Sequence, residues 1–251
     1  MAKKKVYNEV FDFLKISDDN FKKEIINTLQ SKKGPTISSN WLSDNILIGR
    51  MPKDCKEVTK IINSGVNMFI SLREYEEEYQ KCIYELNKKY KDSIIFFRFD
   101  IPDFGTRDTD SIKALIDSII NYVNIKKGKV MIHCLGGHGR TGTIVVPLIA
   151  ILLFFKNIIN IDNKNFLNRS DRKTFNEWNQ IIEKIAESLF IKAQSYVMIS
   201  LRKDRGSNSE KKRDIKAVRV PETHAQDIIA ISVIKKYIIN YLEDGVIYDG
   251  I

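Results

Sequence analysis

Apolar positions along the chain follow two alternating periods. Ile46-Leu47-Ile48-Gly49, Val66–Leu72, Ile94–Phe99 and residues 129–133 are short apolar runs, in part β-branched, and read as strands. Between them, residues 54–64 and 109–125 read as helices and Glu74–Lys91 as a charged amphipathic helix. Thr141–Phe155 is longer and apolar throughout, which predicts a buried helix with Pro147 bending it about two turns in. Its fully apolar part, Ile144–Phe155, is too short to span a bilayer. Asn163–Asn168 and Thr174–Leu201 predict two further helices. Residues 224–242 predict a last one, with Ile228, Ile231, Ile234, Ile238 and Leu242 near one face. Phe21, Ile25, Ile26 and Leu29 lie at helical spacing in a lead-in that Gly34-Pro35 ends. Strands alternating with helices predict an α/β sheet covered by helices. The division expected is an N-terminal helical extension over 1–40, a main domain over 41–201, a charged loop over 202–223, and a C-terminal helix within 224–251 packed on the domain.

One loop interrupts this pattern with chemistry. His133-Cys134-Leu135-Gly136-Gly137-His138-Gly139-Arg140-Thr141-Gly142 stands between the strand at 129–133 and the buried helix. Glycines let successive backbone N–H groups point into one concavity that suits an oxyanion. An arginine adds a planar fork that matches two phosphate oxygens. A helix N-terminus following the loop points the same way. A cysteine at the bottom of such a cup is a candidate thiolate nucleophile. Leu135, Gly136, Gly137, His138, Gly139 and Arg140 are the expected phosphate cradle.

Cys-x5-Arg-Thr after a strand, preceded by His133, resembles the protein tyrosine phosphatase superfamily. The Gly-Gly-x-Gly-Arg loop looks most like the dual-specificity branch, near the kinase-associated phosphatases. The resemblance implies a cysteine-phosphatase fold with a central mixed, mostly parallel sheet flanked by helices and, here, an extra C-terminal helix. The segment Trp41–Pro52 is similar to the family's opening strand and its Gly-x-x-Pro turn. Pro102-Asp103-Phe104-Gly105 is similar to the family's acid loop, which assigns Asp103 as general acid. Asp100 and Asp108 are rivals, the first better read as ending a strand and the second as capping the helix that starts near Thr109. The implied reaction has Cys134 attack phosphorus, Arg140 and the loop amides hold the oxygens, and Asp103 protonate the leaving group. Water then hydrolyses the phosphocysteine, with Asp103 as base and the Thr141 hydroxyl helping the cysteine leave. His133 supports and orients the loop. His138 lies at the rim, open to substrate contact or to solvent. Relatives also place an amide near the site; Asn176, Asn179 and Gln180 are in the expected region and none is assigned. No metal and no cofactor is called for.

Composition changes this picture little. The cysteines are Cys55, Cys82 and Cys134. Their wide spacing predicts no disulfide framework, with an oxidative bond from Cys134 to Cys55 or Cys82 as a minor alternative. The start Met-Ala-Lys-Lys-Lys has no apolar stretch behind it, position 2 is not glycine, and no cysteine stands near the C-terminus, so neither a secretory signal nor a lipid anchor is expected. The cytoplasm is the default compartment, and Lys211-Lys212-Arg213 is a candidate nuclear address. The net charge of +9 favours anionic partners without choosing among them. The charged stretch 202–216 is a candidate contact for such a partner, although a solvated loop is the simpler reading.

The first expected substrate is a phosphorylated protein carrying phosphotyrosine, with phosphoserine and phosphothreonine as further candidates. The loop has no lysine, where phosphoinositide phosphatases of the superfamily often carry them. Gly139 stands where RNA 5′-triphosphatases of the same fold typically have asparagine, so a nucleic-acid partner is not expected. A silent phosphate-binding module would need Arg140 and the amides but would have no use for Cys134 or Asp103.

Overall fold

The computed structural model describes residues 31–75, 78–89, 93–160, 175–205 and 219–244. Six strands, β1 (Lys32–Lys33), β2 (Ser39–Trp41), β3 (Ile46–Arg50), β4 (Met68–Ser71), β5 (Ile95–Arg98) and β6 (Val130–Cys134), form one sheet in the order β1-β2-β3-β6-β4-β5. The pairs β1–β2 and β2–β3 are antiparallel, and β3, β6, β4 and β5 run parallel. The helices are α1 (Cys55–Asn63), α2 (Glu78–Lys89), α3 (Thr109–Ile125), α4 (Gly139–Asn160), α5 (Phe175–Arg205) and α6 (His224–Asp244).

Successive strand residues point to opposite faces, and each face has its own core. Leu47, Phe69 and Met131 face α1 and α2, packing with Val58, Ile61, Tyr79 and Ile83. Ile48, Ile70 and Ile132 face the larger layer, packing with Ile116, Ile149, Leu189 and Ile234 from α3, α4, α5 and α6. Buried on both sides, β3, β4 and β6 read as largely apolar runs, whereas β5 at the edge is mostly exposed. Asp108 caps α3 as expected, accepting from the Ser111 amide at 2.8 Å. The central position of β6 carries its last residue, Cys134, to the middle of the sheet's carboxyl edge, where the open sites of α/β sheets lie.

Three differences from the sequence reading have physical causes. The sheet begins before residue 40: β1 and β2 form an antiparallel edge there, with Lys32 opposite Trp41 and Ser39 opposite Gly49. Asn40 is buried and bonds the Ser200 carbonyl at 3.1 Å, a partner no local pattern reveals. Cys55 and Cys82 are joined by a disulfide, so the expectation of no disulfide fails, and Cys134 is the free thiol. Two helix faces that pack side by side bring the pair together. Residues 219–223, read as part of a charged loop, instead pack onto the start of α4. The predicted helices within 1–30 and at Asn163–Asn168, and Lys211-Lys212-Arg213, lie outside the described residues. Among the described residues no helix is long and apolar enough to cross a membrane.

Candidate active site

The loop from Cys134 to Arg140 curls over the end of β3. Its floor is pinned by the sheet: the Met51 amide donates to the Cys134 carbonyl at 2.9 Å, and the Leu72 amide to that of His133 at 2.9 Å. Gly137 makes the curl feasible. It has φ +79°, and a Cβ there would lie 2.5 Å from the Gly49 carbonyl. In this position its amide donates to Cys134 Sγ at 3.2 Å. Gly137→Ala is therefore expected to destabilise the fold by about 1–3 kcal/mol. It should also weaken binding of tungstate, a phosphate analogue. Chemical denaturation and calorimetry check the two halves of that expectation.

Cys134 is buried and Arg140 is 6% exposed. The guanidinium is held by Asp103, whose Oδ1 lies 2.8 Å from an Arg140 nitrogen while the aspartate itself is 61% exposed. The structure thus brings Cys134, Arg140 and Asp103 to one place. Leu135 and Gly136 are exposed at the mouth, and His138 is half-buried with its ring near Gly136. Thr141 is buried, and its hydroxyl has no hydrogen-bond partner. An unsatisfied buried hydroxyl beside a cysteine loop calls for an explanation. The rivals of Asp103 are engaged elsewhere. Asp100 pairs with Arg98 at 3.0 Å, and Asp108 is held below the usual carboxylate range by its bonds to Ser111.

His133 lies beneath the loop, fully buried, with Nε2 bonded to the Tyr79 hydroxyl and Nδ1 3.4 Å from the Cys134 carbonyl. Burial pushes its pKa down to about 4, and the charge of Arg73 adds to that. The ring is neutral at neutral pH. A carbonyl can only accept, so Nδ1 carries the proton and Nε2 accepts from Tyr79.

Residues missed by the sequence reading close the other side of the site. Gly139 and Gly142 lie on one face of α4's first turn, and Val220-Pro221-Glu222 rests on them. A Cβ on Gly139 would meet the Glu222 carboxylate at 2.4 Å, and one on Gly142 would meet Val220 at 2.6 Å. Glu222 is held above the usual carboxylate range by partial burial and then by the charge of Asp103, with Arg140 pulling the other way. Gln226 is buried and ties this segment to the Pro102–Gly105 turn that carries Asp103. Its Oε1 accepts from the Glu222 and Thr223 amides at 3.0 and 3.2 Å, and its Nε2 donates to the Gly105 carbonyl at 2.9 Å. Thr223 donates to the Phe104 carbonyl at 3.4 Å. A side-chain amide that meets the loop carrying Asp103 thus comes from α6. Two glycines one turn apart at a helix start were the available signal, since they mark where another segment approaches closely.

A family model described as a Swiss Army Knife protein, DSP-PTPase phosphatase domain, matches residues 37–177. The mouse protein tyrosine phosphatase domain-containing protein 1 is 26% identical over 159 residues, which is 57% of this chain and 20% of the relative. The chain thus spans about a fifth of that relative's length. Among solved structures, Tk-PTP in its active form is similar at a TM-score of 0.46 and 20% identity, covering 79% of this chain and 97% of the other. Kinase associated phosphatase is similar at a TM-score of 0.41 and 17% identity, covering 80% and 89%.

Proposed function

Because the chain belongs to the DSP-PTPase phosphatase-domain family of Swiss Army Knife proteins, we propose that it hydrolyses phosphate monoesters on proteins through a phosphocysteine intermediate. The carrying observation is one loop that presents Cys134 Sγ to an inward-facing amide, with the buried Arg140 guanidinium six residues on. A phosphate oxygen displaces the Asp103 carboxylate from Arg140, and the freed Asp103 takes up a proton from solvent and stands at the mouth as the proton donor. Cys134 attacks phosphorus in line, the S–P bond forms, and the ester oxygen leaves with the proton from Asp103. In the second step Asp103 takes a proton from water, the water oxygen bonds phosphorus as the S–P bond breaks, and inorganic phosphate departs. The unpaired Thr141 hydroxyl is free to donate to the departing sulfur. Glu222 is a second carboxylate within electrostatic reach of both Asp103 and Arg140.

Phosphotyrosine is the first substrate on this reading, with phosphoserine and phosphothreonine next. The supporting residues are Leu135 and Phe104, both exposed apolar side chains at the mouth, which suit an aryl ester. The test begins with p-nitrophenyl phosphate, expected to be hydrolysed with EDTA present. Initial rates on a phosphotyrosine peptide, a phosphothreonine peptide, a phosphoinositide and triphosphate-ended RNA are then run side by side. The phosphotyrosine peptide is expected to lead. Fastest turnover of the phosphoinositide or the RNA would overturn the substrate assignment, and no hydrolysis of any would overturn the reaction.

A further inference from the structure

The disulfide joining Cys55 to Cys82 has no part in the reaction proposed above, yet both of its ends lead to the nucleophile's loop. Cys55 opens α1, and two residues later Glu57 takes the Arg50 guanidinium at 2.8 and 3.1 Å. Arg50 ends β3 directly beside Cys134, and the next amide, that of Met51, holds the Cys134 carbonyl. Cys82 lies three residues after Tyr79 on α2, which puts the two on the same helix face. Both are buried, and Tyr79 holds His133. A continuous chain of contacts thus runs from the disulfide through Tyr79 and His133 to the backbone of Cys134.

We infer that the Cys55–Cys82 bond is a thiol-reducible staple that tunes the reactivity of Cys134 through Tyr79 and His133. The inference rests on Cys134 being the nucleophile. The bond anchors α2, one turn in from its start, to the start of α1. At its far end α2 is held separately, by the Asn87 side chain pairing with both the amide and the carbonyl of Ile94 at 2.8 Å. A dithiol reductant transfers two electrons: the Cys55–Cys82 bond breaks, two protein thiols form, and the reductant's own sulfurs join. Reduction leaves the Tyr79 ring packed against Phe69 and Phe96 but removes the covalent tie one turn further along α2. As the Tyr79 hydroxyl loses its fixed place, His133 is no longer confined to the tautomer that donates to the Cys134 carbonyl. The loop amides that face the sulfur lose part of their orientation. Of the other charged or titratable groups around the loop, Arg50 and Glu57 stand at the Cys55 end of the staple, and the rest come from elements it does not join. Arg73 follows β4, His138 and Arg140 belong to the loop and α4, and Asp103 and Glu222 face them across the mouth.

The test follows iodoacetamide alkylation of the peptide carrying Cys134 by mass spectrometry, between pH 5 and 9. Wild type, wild type with dithiothreitol, Cys55→Ser/Cys82→Ser and Tyr79→Phe are compared, with circular dichroism confirming the fold of each. Unreduced wild type should show one free thiol when denatured, and three after reduction. Reduction, the double serine variant and Tyr79→Phe should each slow alkylation about fivefold on the acid side of the profile, the ratio that one hydrogen bond of ordinary net strength sustains. In the Tyr79→Phe background, reduction should add nothing further. Three free thiols in the unreduced protein would overturn the proposal. So would a staple-free protein that melts earlier but alkylates Cys134 with an unchanged profile, because that is a brace and not a relay. Should the serine variant misfold, the reduced wild type and Tyr79→Phe still decide. Alkylation needs no substrate, so failure of the phosphatase assay would be seen separately from failure of this coupling.

Discussion

Cys134→Ser is expected to abolish hydrolysis of p-nitrophenyl phosphate, a loss of about four to six decades, while leaving tungstate binding intact. The split follows from how the loop divides its labour. On the proposed reading a tetrahedral anion is held by the backbone amides and the Arg140 guanidinium, and none of them belongs to the Cys134 side chain. The loop's shape comes from Gly137 at φ +79° and from the sheet bonds at its floor, which serine leaves in place. Serine also fits the space, because its oxygen can accept from the Gly137 amide as the sulfur does. What it lacks is the sulfur, a far better nucleophile than an alcohol oxygen. His133 cannot compensate as a base: its two ring nitrogens are committed to Tyr79 and to the Cys134 carbonyl. Steady-state rates and a calorimetric titration with tungstate check the two halves. A serine variant that still turned over substrate would remove the sulfur from the mechanism. One that folded normally yet no longer bound tungstate would show that the anion is held by the sulfur rather than by the loop.

This site was largely legible in the chain because its parts are local. A strand, glycines that permit a tight curl, an arginine and a helix lie within one continuous segment, so spacing alone specifies the cup. Helix α3 was legible for the same reason, with Asp108 as its cap and bounds matching the predicted 109–125. The rest depends on partners distant in sequence. Lys32-Lys33 has no apolar alternation, and only its pairing with β2 makes it a strand. The Cys55–Cys82 bond depends on α1 and α2 lying side by side, which spacing does not report. Tyr79 reads as an ordinary core position of an amphipathic helix until β6 places His133 against it. Glu222 and Gln226 follow a charged stretch that by composition promises only solvent. They reach the site because Gly139 and Gly142 leave room on α4.

Asp103→Asn is expected to lower kcat by about two to four decades and, at the same time, to tighten the binding of inorganic phosphate. Both effects come from one contact. With no ligand present, the Asp103 carboxylate occupies the guanidinium that an oxyanion needs, at 2.8 Å. It must be displaced before phosphate can take the Arg140 fork, so the ligand-free protein holds its own competitor. The amide of asparagine keeps the shape but neither competes as an anion nor donates a proton to a leaving oxygen as an acid does. The acid loop stays in place in either case. It is set by the Pro102–Gly105 turn and by the Gln226 and Thr223 bonds to its carbonyls, none of which involves the Asp103 side chain. The loss in kcat should shrink as the leaving group improves. An ester of p-nitrophenol needs less protonation than one of phenol, and a general acid is the only role that predicts this trend. Rates on the two esters, with phosphate inhibition constants for both proteins, separate the possibilities. If the rate is unchanged, the acid is Glu222: it is the other carboxylate beside Arg140, it already titrates above the usual range, and Asp100 and Asp108 are engaged elsewhere. If kcat falls but phosphate binds no more tightly, the Asp103–Arg140 pair is no barrier to the substrate, and the resting contact has no energetic consequence for binding.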